Sequence, residues 1–251
     1  METVKPFRRY LAEGAAIVVS ILLAFAIDAS WQGWDEAQEE SRLLQALEAE
    51  FRSNQTMVAF RTEWHRDIQE ALLALLSEAT SPQSTTSPDS IDSLIGMASW
   101  FNNQSTFEMS ANDALVLSGK LSLVSNEALR QRITAWNRKV ASVTRNEAQD
   151  YDTFSEVWMP FLTNHGYLPQ ISNAITVQPG SGEADYGLKV PSDSVPFDHR
   201  ELLRDRRFQN VLLHRLWVQL DILTAYQGME PELLTMLQLL SAETGGEWNE
   251  N

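Results

Sequence analysis

At 251 residues, with 43% hydrophobic and 21% charged side chains, the chain has the composition of a folded protein rather than a disordered one. Its formal charge is −15, and residues 1–28 balance Lys5, Arg8 and Arg9 against Glu2, Glu13 and Asp28, so the whole excess lies in residues 29–251; such an acidic body disfavours contact with nucleic-acid phosphates or anionic headgroups. The absence of cysteine excludes thiolate catalysis, cysteine-ligated zinc, iron–sulfur clusters and disulfides.

Gly14 to Ile27 reads GAAIVVSILLAFAI, apolar apart from Ser20. Alone it gives ~21 Å of helix, too short for a ~30 Å hydrocarbon core, whereas Tyr10 to Trp31 gives ~33 Å and fits. Tyr10 at one end and Trp31 and Trp34 at the other are suited to headgroup depth. Lys5, Arg8 and Arg9 precede the span and Asp35, Glu36, Glu39 and Glu40 follow it. The positive-inside rule then puts residues 1–9 in the cytoplasm and the main domain, 32–244, outside the inner membrane, in the periplasm of a Gram-negative cell. Two other readings compete. Ala24-Phe25-Ala26 resembles a signal-peptide cleavage site, although it lies inside the apolar run with no polar stretch before it. The run also has the length of a buried helix of a soluble domain.

Ala12, Ala16, Ser20, Ala24 and Asp28 recur every four residues, a small-residue ladder of the kind that lets helix backbones approach closely in lipid. Glu13 lies beside it near the cytoplasmic boundary, and a carboxylate inside a membrane is functional by default. The alternative is that Glu13 and Asp28 both sit at headgroup depth, where water reaches them. Glu13 has no second intramembrane ionisable residue beside it, which makes it a poor proton relay.

Beyond the span, Leu43, Leu44, Leu47, Phe51, Val58, Trp64, Ile68, Leu72 and Leu75 predict one helix to about Glu78, continuous with the anchor and weakest at Ser53–Thr56. Pro82 and Pro88 mark a loop over 79–90. A short helix over Ile91–Phe101 follows, then another opened by a capping box at Ser110–Asp113 and stopped by Gly119. Ser125 can cap a long helix carrying Leu129, Ile133, Trp136, Val140 and Val143; the series resumes at Tyr151, Phe154, Trp158 and Phe161 after a polar stretch, and Pro160 helps to end it. Residues 165–197, rich in Pro and Gly, read as an irregular loop. A capping box at Asp198–Glu201 opens a long helix with Phe208, Leu212, Leu216, Leu220 and Leu223 on one stripe, and Pro231 starts a last helix before a polar tail, 245–251. The expected fold is all-α: one N-terminal transmembrane helix, then a bundle of long antiparallel helices.

The search for chemistry finds no catalytic, cofactor-binding or metal-binding constellation. His65, His165, His199 and His214 are scattered, with no HExxH or ExxH pair. GxSxG, SxxK, GxGxxG and the P-loop are all missing. An enzyme would have to use carboxylates such as Asp152 or Glu156, which spacing does not single out. Trp136, Trp158 and Trp217 lie on apolar stripes and read as core, with Trp100 beside them.

Several segments carry a family resemblance: Glu13 with VVSILLAFAID and Trp31, then Ala114-Leu-Val-Leu-Ser-Gly-Lys-Leu121 and Leu129-Arg130, then Arg204-Asp-Arg-Arg-Phe-Gln-Asn210. Their order and spacing resemble an uncharacterised family of bacterial single-pass membrane proteins with a helical extracytoplasmic domain. Asp28 departs from that pattern, in which Asn is common. The resemblance implies the architecture and no activity. The sequence therefore predicts a structural or accessory interaction protein that pairs with other transmembrane proteins, or with itself, through the N-terminal helix. The alternative is a periplasmic sensor or ligand- or peptide-binding module using loop 165–197.

Overall fold

The computed structural model describes residues 5–81, 86–101, 105–175, 179, 190–192 and 197–245, with side chains from residue 13 onward. Every element among them is helical. The first, α1, runs unbroken from Lys5 to Thr80, 76 residues or about 114 Å. The weak point expected at Ser53–Thr56 does not interrupt it: Asn54 is buried and held by the Glu108 backbone, donating to its carbonyl (2.8 Å) and accepting from its N–H (2.9 Å).

The chain builds a four-legged bundle around the distal half of α1. From the far end of α1, helix α2 (Pro88–Ala98) turns back along it, and α3 (Ser110–Leu117) and a 3₁₀ turn (Lys120–Leu123) continue that descent to the level of Glu39 and Glu40. Helix α4 (Glu127–Thr153) then climbs along the leg that Arg206–Gln227 forms, passes through a π turn (Phe154–Trp158) and ends as α5 (Met159–His165). Short helices α6 (Leu168–Ala174) and α7 (Arg200–Leu203) cross the top. Helices α8 (Arg206–Gln227) and α9 (Glu230–Thr244) descend together; Gln219 meets His65 and Thr244 meets Glu48 on α1. The antiparallel bundle is thus as expected, with two of its legs broken into short helices.

Heptad spacing governs the packing. On α1 the core positions are 44, 47, 51, 54, 58, 65, 68, 72 and 75; on α4 and its π turn they are 129, 133, 136, 143, 147, 150 and 158; on α8 they are 208, 212, 215, 219, 222 and 226, all buried. Steps of three and four keep one seam facing its neighbours along each helix. The apolar members divide into two clusters. One is centred on Phe51, Ile133, Trp136 and Leu237 near the base, the other on Ile68, Ile95, Trp158 and Phe208 near the top.

Several expectations need correction. The stripe on α8 contains Gln219 and Ile222 rather than Leu220, and Trp217, expected in the core, is 57% exposed with Leu220 and Leu213 beside it. Phe208, Leu212, Leu216 and Leu223 of the expected stripe are buried, and Leu220 is the one member that turns outward. Pro88, expected within the loop over 79–90, instead starts α2 at its first turn, capped by Ser87, because a helix start needs no N–H from proline. Pro160 does not stop its helix either. The preceding π turn, closed by Met159 N–H on the Phe154 carbonyl, widens the helix where the proline ring would crowd the previous turn. Loop 165–197 is not wholly irregular, since Leu168–Ala174 is helical; residues 176–178, 180–189 and 193–196 of it lie outside the described residues. Asn126, not Ser125, caps α4, and Asp205, not Asp198, caps α8. Gly119 (φ +74°) does end α3, in the left-handed region where a Cβ is costly.

The capping box expected at Ser110–Asp113 is replaced by a longer-range device. Met109 stands at the N-cap without a side-chain bond, and Glu50 of α1 receives the N–H groups of Ala111 (2.6 Å) and Asn112 (3.1 Å). A carboxylate at a helix N-terminus satisfies orphan donors and suits the helix dipole. Burial pushes the Glu50 carboxyl above its usual range, and the two N–H bonds oppose that shift. Glu50→Ala should therefore lower the stability of the full chain by about 2 kcal/mol, measured by urea unfolding. An unchanged midpoint would mean that α3 is held without this cap.

Candidate functional site

The N-terminal part of α1 stands clear of the bundle. Residues 13–38 are all exposed, including Ile17, Leu22, Leu23 and Phe25 at 60% or more, and the apolar window has no buried residue. This overturns the buried-helix reading. Among the described residues it is the one helix long and apolar enough to cross a bilayer. Trp31 and Trp34 meet edge to face at 5.9 Å, both more than half exposed. The side chains of Tyr10 and Ala12 lie outside the described residues.

Of the ladder, Ala16, Ser20, Ala24 and Asp28 are exposed on the same stretch. A four-residue step advances about 40° around an α-helix, so the series winds rather than stacking. Ala16, Ser20 and Ala24 share a face about 80° wide, while Asp28 lies toward its edge. Ser20 donates to the Ala16 carbonyl (2.8 Å), which leaves the ladder flat and without a projecting donor. Asp28 accepts from Gln32 one turn further on (3.2 Å). Glu13 is exposed beside the start of this face.

A second arrangement escapes a search for apolar stripes and chemical motifs. Between the two apolar clusters, a buried polar layer crosses the bundle. Arg215 on α8 is fully buried. Its Nε donates to the Ala98 carbonyl (2.8 Å), Nη2 to the Trp100 carbonyl (2.5 Å) and Nη1 to Asp150 of α4 (3.2 Å). The guanidinium also lies over the Phe154 and Trp158 rings at about 5.5 Å. It thereby satisfies orphan carbonyls at the end of α2 with a positive charge.

Gln219 carries the layer across to α1. Its amide donates to Asp150 (2.7 Å), so its oxygen faces His65 Nδ1 (2.8 Å), which must be the protonated nitrogen because an amide oxygen only accepts. His65 stacks on Tyr226 at 5.5 Å, and the Tyr226 hydroxyl donates to Glu147 (2.5 Å). Ser105 closes the ring, giving both its N–H (2.8 Å) and its hydroxyl (2.6 Å) to Glu147. Burial pushes Asp150 up against the pull of Arg215, pushes the Tyr226 phenol up beside Glu147, and pushes His65 down. His65 Nε2 has no protein partner, but the residue is completely buried and no substrate reaches it.

At the top of the bundle, Asp92 of α2 accepts from His199 Nδ1 (2.6 Å), and His199 Nε2 accepts the Tyr167 N–H (2.9 Å). The pairing looks like two thirds of a catalytic triad, yet the nitrogen that would serve a nucleophile is occupied by backbone. Gln170 bonds the same aspartate (2.6 Å) and both backbone groups of Phe197, tying α6 and the entry to α7 onto α2. Neither His165 nor His214 joins a cluster, and no group of three His, Asp or Glu among the described residues is placed to hold a metal. Asp152 and Glu156, the carboxylates considered for catalysis, are exposed and apart from both networks.

The signal for the polar layer was present in the spacing. On α4, Val143 is followed at core positions by Glu147 and Asp150; on α8, Leu212 is followed by Arg215 and Gln219; on α1, His65 stands between Val58 and Ile68. Charged residues at successive seam positions of different helices mark a buried network.

Two outcomes test this layer. Arg215→Met leaves Asp150 buried without its cation and should cost about 3–5 kcal/mol in urea unfolding, whereas Arg215→Met with Asp150→Leu should cost less than the single change. For His65 the sign follows from its lowered folded-state value: below pH about 6.5 the unfolded chain binds a proton that the folded chain refuses, so stability is lost as the pH falls. His65→Gln should remove that slope, at most about 1.4 kcal/mol per pH unit, when unfolding is compared at pH 7.5 and 5.5. Equal slopes in the two proteins would show that His65 is not held neutral. Comparison with known proteins adds no assignment: no family model, no curated protein and no solved structure matches this chain.

Proposed function

We propose that the chain is a membrane-anchored structural or accessory protein, in which α1 pairs with transmembrane helices of a larger complex and the bundle docks on the outer side of that complex. The observation that carries this reading is α1 itself. Its apolar stretch has no cover in the bundle, and exposing so many large aliphatic side chains to water is strongly unfavourable. Lipid is the cover that fits a single helix of this length. The cations before the span and the carboxylates after it favour a cytoplasmic N-terminus and a periplasmic bundle at the inner membrane.

The face formed by Ala16, Ser20 and Ala24 supports helix pairing, since small side chains let a second backbone approach where dispersion replaces the hydrophobic effect. Within the bundle, the polar layers are enclosed and serve packing, which leaves the outer surfaces to meet partners. Ala16→Leu combined with Ser20→Leu should abolish association while leaving the protein in the membrane, read as the mass and composition of the complex extracted in mild detergent. Retention of the same complex would sink the pairing role of this face.

A ligand- or peptide-binding module is the second reading. It is favoured by a groove of about 740 Å³ between α1, α2 and the end of α6, floored by Ala71, Ala74, Leu94 and Ile175 and walled by Asp67 and Glu70.

A further inference from the structure

We infer that the turn between α3 and α4 is a foot that rests in the headgroup layer of the bilayer that α1 crosses. This inference rests on the reading of α1 as a membrane anchor and adds a second point of contact to it. Three observations carry it. First, α1 has no hinge between Trp34 and the bundle, so the height of the bundle above the membrane is fixed by helical rise. Second, the bundle has one low corner among the described residues. Lys120 bonds Glu39 (2.5 Å) and Ser125 bonds Glu40 (2.6 Å), whereas the end of α9 meets α1 at Glu48 and reaches down to this corner through Glu243 on Asn126. Glu39 lies about 7.5 Å along the axis from Trp34, and the α9 end about 13 Å further. Third, Leu117, at the end of α3 on this corner, is 82% exposed, the highest value among the exposed large hydrophobic residues.

Tilt closes the remaining gap. A ~33 Å apolar span fits a ~30 Å core at a tilt of about 25°. With α3 some 8–10 Å from the α1 axis, leaning toward this corner lowers the turn by about 4 Å. That places it near the Trp34 level, within the headgroup layer. Leu117, which ends α3 beside Leu43 above the turn, then faces the headgroup layer, and Lys120 keeps its ammonium on Glu39 at the polar boundary. A lean in this direction brings the most exposed leucine among the described residues toward the membrane. Asp35, Glu36, Glu39 and Glu40 surround the contact, so zwitterionic headgroups suit it and anionic ones repel it.

The chain has no native cysteine, so single nitroxide labels can be placed without further changes. Phe25→Cys, Leu117→Cys and Trp217→Cys, each in the full chain reconstituted in phosphatidylcholine vesicles, are compared by their collision rates with dissolved oxygen and with a water-soluble nickel chelate. The expected result is a lipid signature at Phe25, a water signature at Trp217, and an oxygen-to-nickel ratio at Leu117 several-fold above that at Trp217. A lipid signature at Phe25 with equal ratios at Leu117 and Trp217 overturns the foot and leaves the anchor standing. A water signature at Phe25 overturns the anchor, and the foot with it.

Discussion

The bundle depends on one buried cation. Arg215 is fully enclosed, and its guanidinium is committed to the Ala98 and Trp100 carbonyls at the end of α2 and to Asp150 of α4. A charge in that position is tolerable only where all its donors are met, which requires the carbonyl end of α2, Asp150 on α4 and the register of α8 to coincide. A slip of one helical turn, about 5.4 Å, would leave Arg215 and Asp150 separately buried. Apolar heptads repeat and would tolerate such a slip. The polar layer does not, and this difference gives the bundle a single alignment rather than a family of them.

Gln219 extends the same constraint to α1. Its amide is fixed by Asp150, and its oxygen then dictates which nitrogen of His65 holds the proton. Through these contacts α1 is registered against α8 and, by way of Asp150, against α4. Glu147, Tyr226 and Ser105 repeat the arrangement one layer lower and pin Ser105, ahead of α3, to α4. Because burial holds His65 neutral and opposes ionisation of Asp150, the layer is sensitive to changes that add a charge without a partner.

Much of this architecture was legible in the sequence because helix periodicity and caps are local signals. The continuous α1, the stop at Gly119, the start near Pro231 and the α4 stripe from Leu129 to Val143 followed from spacing and turn chemistry, whereas Tyr151, expected on that stripe, is 44% exposed. The polar layer was not recovered because a search for apolar stripes treats Glu147 and Asp150 as an interruption and prefers Leu220 to Gln219. Partners distant in sequence make those residues core. The Glu50 cap on α3 was hidden for the same reason: it spans about sixty residues, and nothing local marks Glu50 as a cap. Trp217 shows the converse, an apolar residue on the outer face whose chemistry alone suggested the inside.

The continuity of α1 joins these layers to the proposed membrane role. A bundle on a flexible linker could sample many heights and orientations, and a partner would have to find it. In the proposed role the helix that crosses the bilayer is the helix whose His65 is locked to Gln219, so rotation of the span about its axis rotates the bundle with it. The proposed pairing face at Ala16, Ser20 and Ala24 and the outer faces of the bundle are therefore held in a fixed angular relation. A partner engaging both must match that angle as well as each surface. Rigid presentation restricts the set of partners but lowers the ordering cost of binding the right one, and that trade suits a subunit of a defined assembly better than a receptor that must meet many ligands.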